Sequence, residues 1–194
     1  MPLRLPGDVL EFWFSERSRA LWFERNTAFD EELRALFGAS VAAACVGDLD
    51  YWARAVDSSL ALVLLLDQFP RNIHRGTLRA FAGDARARTI AATAVDRGFD
   101  QRTPLDRRFF FYLPFEHSED PKDQGRSVTL FRRWVEEHRG AERERTLALE
   151  YMKYVLRHQE IVARFGRFPH RNSVLGREST PEEIAFLQEP NSAF

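Results

Sequence analysis

The chain has 194 residues and is 44% hydrophobic, with 17 Phe, 4 Trp and 4 Tyr, enough for an aromatic core without a metal or disulfide. Its 28 basic and 29 acidic residues leave a net charge of −1, which speaks against a nucleic-acid partner and offers no cationic face to an anionic membrane. Cys45 is the single cysteine, so an intramolecular disulfide and zinc-finger spacing are excluded, and its apolar setting in "VAAACV" predicts a buried, inert thiol.

The elements read as helix after helix. In "MPLRLPGDVLEFWF", Pro6, Gly7, Asp8 and Glu11 interrupt any signal-peptide pattern, and Asp8 with Glu11 predicts a capped helix start. Asn26 or Thr27 opens a second helix, with Phe29, Leu33, Leu36 and Phe37 on one face, running towards the stop at Gly47. Asp48 is expected to cap "LDYWARAV", and Asp57 or Ser58 to cap "SLALVLLLDQF". That segment has no polar side from Leu60 to Leu66, as befits a central helix enclosed by its neighbours. It is also far short of the ~20 apolar residues that cross a bilayer, so a soluble, cytoplasmic protein without membrane contact is expected.

Further on, Asp84 is expected to cap a helix that stops at Gly98. Thr103 with Pro104 should open another, which Pro114 ends or kinks. Asp120-Pro121 repeats the cap-then-proline device, a long helix runs from about Ala141 to Phe165, and Thr180-Pro181 with Glu183 starts the last. Trp13, Trp22, Trp52 and Trp134 read as core. No linker divides the chain, so the expectation is one all-α domain over residues 1–194, with roughly eight or nine helices. There is no period near the ~34 residues of a tetratricopeptide repeat.

Three segments depart from this structural pattern. In "LLLDQFPRNIHR", Pro70 should end the helix nearby, leaving Asp67 in a last turn where the helix dipole disfavours an acid. A desolvated carboxylate there needs a partner, and Arg71, His74 or Arg75 is nearest. In "YLPFEHSEDPKDQGR", Glu116, His117, Ser118 and Glu119 hold ingredients for acid–base chemistry, without zinc-protease or nucleophile-elbow spacing. In "RHQEIVARFGRFPHRNSVLGRES", Arg164, Arg167, Arg171 and Arg177 accompany His170, with no acid among them before Glu178. Arginine forks of this kind bind carboxylate or phosphate, but they equally tie acidic side chains into an internal network. His117, His158 and His170 lack metal-ligand spacing, so no metal or other cofactor is expected.

"LLLDQFPRNIHRGT", "YLPFEHSED..DQ..SV.LF" and "RFGRFPHRN.VLGR.ST.EE..FL" resemble the bacterial family known as domain of unknown function 924 (DUF924). The likeness runs from "VLEFWF" near the start to "FL" near the end and rests on Asp67, Gln68, Arg71, Asn72, His117, Ser118, Glu119, Arg164, Arg167, His170, Arg171 and Asn172. It implies an all-α fold of antiparallel, tetratricopeptide-like helical hairpins and no established activity.

The leading expectation is a binding module in which the three segments converge on a small anionic ligand. Arg71, Arg167 and Arg171 would grip carboxylate or phosphate oxygens, with Arg164 and His170 beside them. Asp67 would hold an arginine, and Gln68, Asn72 and Asn172 would supply directional hydrogen bonds. Two alternatives stand beside it: an enzyme using His117 or His170 as acid or base with Glu119 orienting it, and a protein- or peptide-binding scaffold in which the polar cluster is internal bracing.

Overall fold

The computed structural model describes residues 2–138, 140, 142–190, 192 and 193, and among these the chain is all-α, with no strand. It folds as two compact units, Met1–Pro114 and Phe115–Phe194.

The first unit is built around one helix. α1 (Pro6–Trp13) begins earlier than expected, because Asp8 does not precede the helix but reaches back from its first turn to accept the Leu5 N–H at 2.9 Å. α2 is a short turn, Glu16–Arg19. α3 (Thr27–Val46) starts where Asn26 Oδ1 accepts the Phe29 N–H at 3.0 Å and stops at Gly47, whose φ of 96° suits glycine. α4 (Val56–Ile73) has Ala55 before it, and neither Asp57 nor Ser58 caps it; the Ser58 hydroxyl donates to the Trp52 carbonyl at 2.6 Å. Every side chain from Leu60 to Leu66 is buried, with α1, α3 and α5 (Asp84–Asp96) packed around them.

Pro70 does not end α4. The helix continues to Ile73, and Asp67 therefore lies more than a turn before its end. Proline removes the N–H owed to the Leu66 carbonyl, but Phe69 and Ile73 stay buried in the extra turn. Arg34 Nη2 donates to the Ile73 carbonyl at 2.5 Å, which supplies an end that the sequence pattern does not show. Asp84 lies in the first turn of α5, not at its cap, and Gly83 sits so close to α4 that a Cβ there would lie 2.2 Å from the Leu66 oxygen. The Thr103 hydroxyl donates to the Phe99 carbonyl instead of capping, and Pro104 takes the cap of the short α6 (Leu105–Arg108). The buried rings of Trp13, Phe69 and Phe110 meet at 5.2–5.9 Å, with Trp22 half-buried at their edge. Cys45 is half-buried, and burial raises the pKa of its thiol, which keeps it protonated at neutral pH.

α7 (Leu113–Glu116) carries the chain into the second unit. There α8 (Pro121–Glu137) opens at Asp120, whose carboxylate accepts the Lys122 N–H at 2.8 Å. α9 (Glu142–Phe165) packs along α8, with Trp134 and Tyr151 stacked at 6.0 Å. Ala141, the expected start of this helix, lies outside the described residues. α10 (Pro181–Phe186) has the reciprocal cap that its sequence predicts. Thr180 Oγ1 accepts the Glu183 N–H at 3.2 Å, and Glu183 accepts the Thr180 N–H at 2.8 Å. Phe186 packs with Ile161, Val162 and Phe168. Among the described residues, no helix is long and apolar enough to cross a membrane.

Candidate functional site

In the first unit, Asp67 is 1% exposed and is partnered by Arg71, whose Nη1 lies 3.2 Å from Asp67 Oδ1. The same guanidinium bonds Asp84 at 3.0 and 3.2 Å and the Asp67 carbonyl at 2.6 Å, and Gln68 Nε2 donates to Asp67 Oδ2 at 2.5 Å. Burial works to lower the Arg71 pKa, but Asp67 and Asp84 outweigh it and keep the guanidinium firmly charged. Asn72 and Arg75 share a different acid, Asp30. Asn72 Nδ2 donates to it at 2.9 Å, and Arg75 forms a fork at 2.9 and 3.1 Å. Gln68, Arg71 and Asn72 are thus engaged with Asp67, Asp84 and Asp30, acids of their own unit.

The second unit gathers the other two segments. Gln124, buried on α8, donates its Nε2 to the carbonyls of Glu116 at 2.6 Å and Ser118 at 2.7 Å. Arg171 Nη1 donates to the intervening His117 carbonyl at 2.9 Å, so the backbone beneath His117 is held from both sides. Ser118 donates to Asp123 at 2.7 Å. Glu119 accepts the Phe168 N–H at 2.8 Å and both Nη groups of Arg177 at 2.7 and 2.9 Å. Burial would raise the Glu119 pKa, but Arg177 and the Phe168 N–H bring it below the ordinary value, so the group is a carboxylate.

Acids from the last helix hold the remaining arginines. Arg164 bonds Glu182 at 2.9 Å, and Arg167 forks onto Glu183 at 2.6 and 2.8 Å. Asn172 Nδ2 donates to Glu183 at 3.2 Å and to Ser179 at 3.0 Å. Arg167, together with the Thr180 N–H and Asn172, lowers the Glu183 pKa to about 2 against its burial.

Arg171 is placed differently. Its guanidinium lies 4.4 Å over the Phe168 ring, and the same ring has His158 at 5.4 Å and His170 at 5.7 Å. His117 stands 6.2 Å from His158. His158 Nδ1 is 2.8 Å from the Tyr154 carbonyl and 3.0 Å from Glu116 Oε1. A carbonyl only accepts, so Nδ1 carries the hydrogen. Burial holds the His158 pKa well below its usual value, reinforced by His117 and then by Arg171 and His170, and the ring is neutral. The result is a local cationic field with His117 and His170 half-buried at its margin. The Glu116–His158 pair and the Phe168 platform had no signal in the sequence, because α9 and the α7 end meet only in the fold. Among the described residues, no group of three or more His, Cys, Asp or Glu is arranged to hold a metal ion.

A structure titled as a protein of unknown function, ATU0120, from Agrobacterium tumefaciens is 42% identical, with a TM-score of 0.84 over 95% of this chain and 97% of that one. No curated protein matches. Residues 9–191 match a family described as "Bacterial protein of unknown function (DUF924)", and the chain belongs to that family.

Proposed function

We propose that this is a cytoplasmic binding protein whose second unit takes a small carboxylate or phosphate anion at His117, His170 and Arg171. The observation that carries this reading is the grouping of His158, His170 and Arg171 about Phe168, with His117 beside His158. His158 is held neutral inside the group, and the half-buried His117 and His170 stand at its margin with the Arg171 guanidinium. Arg164, Arg167, Arg177 and Asn172 brace the surrounding loop through Glu182, Glu183 and Glu119. Asp67, Gln68, Arg71 and Asn72 brace the first unit in the same manner. Thermal denaturation with inorganic phosphate or succinate at pH 6 and pH 8 tests the proposal. The melting temperature should rise with anion, and the rise should vanish in His170→Ala. An equal rise in that variant, or none in the native protein, overturns the assignment. The satisfied arginine forks favour a second reading, a helical scaffold for a protein or peptide partner, which gains if phosphate and succinate have no effect.

A further inference from the structure

α9 carries more apolar surface than its own unit covers. It packs along α8, with Ala148, Met152 and Val155 in its buried stripe, yet Leu149 and Leu156 stand 41% and 42% exposed. At roughly 100° per residue, Glu142, Arg145, Leu149, Leu156, Glu160 and Ala163 fall within an arc of about 60°, about a quarter turn from that stripe. Two grooves follow the arc. One of about 350 Å³ is lined by Glu142, Arg145 and Leu149, and one of about 320 Å³ by Leu156, Glu160 and Ala163, with Pro121 and Gln124 of α8 beside them.

The face is complementary to itself. Arg145 and Leu149 lie as far before the midpoint between Met152 and Lys153 as Glu160 and Leu156 lie after it. A second α9 turned end over end about that midpoint therefore sets Leu149 against Leu156 and Arg145 against Glu160, each twice. Thr146 then meets Gln159, and the outermost acid, Glu142, meets Ala163, so no like charges are placed opposite each other. Lys153, the charge nearest the axis, is held within its own helix by Glu150 at 2.7 Å. Exposed leucines flanked by opposite charges are the elements that select partner and orientation when helices pair.

We propose that this face of α9 pairs with the same face of a second copy of the chain, antiparallel and two-fold. Leu149 and Leu156 form its centre, an Arg145–Glu160 pair closes each end, and two α8–α9 pairs together make a four-helix dimer. The face shares no residue with the anion cluster and stands or falls independently of it. Sedimentation velocity of the full chain between about 1 and 100 μM tests the pairing. A species of about 45 kDa, twice the 22.6 kDa chain, should grow with concentration. Leu149→Glu should stay monomeric with its helical circular dichroism unchanged. Arg145→Glu and Glu160→Arg should each weaken the dimer about tenfold. The double reversal should restore it, because the two positions are about 22 Å apart on one helix and can meet only across two copies. Tyr154→Glu, which alters an exposed residue on the far side of α9, should dimerise as the native chain does. A native chain that stays monomeric at the highest concentration leaves the face to a foreign partner and overturns the proposal. A dimer that survives Leu149→Glu, or a double reversal that restores nothing, overturns it as well.

Discussion

Glu183 has three tasks at once. Its carboxylate caps α10 through the Thr180 N–H, takes the fork of Arg167 and receives Asn172. All three bonds favour the ionised form, and they hold its pKa at about 2. A carboxylate whose folded pKa is depressed contributes its full stabilisation above the unfolded value and loses it as pH falls through the folded one. Urea denaturation between pH 5 and pH 2 should therefore show the native protein losing stability more steeply than Glu183→Gln. At pH 7 the variant should be the weaker of the two. Parallel curves would mean that the ion pair contributes nothing. His158 acts in the same direction at higher pH, because its neutral folded ring opposes protonation that the unfolded chain accepts near pH 6.5.

At the scale of the helix, the contact between α4 and α5 depends on one absent methyl group. Gly83 has no positive φ to explain it; what it provides is room, since a Cβ would fall 2.2 Å from the Leu66 oxygen. Gly83→Ala should cost about 3 kcal/mol by overpacking, while Gly98→Ala, at φ 67° in open space, should cost about 1 kcal/mol of backbone strain. Chemical denaturation of the two variants checks the ranking. Element ends were legible in the sequence wherever a hydrogen bond closes within a few residues, as at Asn26, Asp120 and Thr180–Glu183. They were illegible where burial decides, as at Pro70, whose helix persists because the turn beyond it fills the core.

Across the whole molecule, helical class and the three polar segments could be read from pattern alone, since apolar periodicity and charge clustering are local properties. Which carboxylate meets which arginine could not. The acid for Arg177 lies 58 residues away, and the sequence does not distinguish Glu119 from its acidic neighbours as that partner. Asp67 shows both sides. Its need for a cation followed from its place after Leu66, and Arg71 was a nearest candidate, but the share of that arginine taken by Asp84 emerged only when α5 folded against α4.

The segment after α9 contains Arg167, Arg171 and Arg177 outside any α-helix, with Arg171 in a single 3-10 turn, which on composition alone would be an open invitation to trypsin. A protease must first draw several residues into an extended strand, and here each guanidinium is fastened: to Glu183, to the His117 carbonyl and to Glu119. Native protein should emerge from limited trypsin digestion uncut at these three bonds, as read by mass spectrometry, and Glu183→Gln should expose the bond after Arg167 first. The same arginines that define the cleavage sites act as the locks that keep them closed.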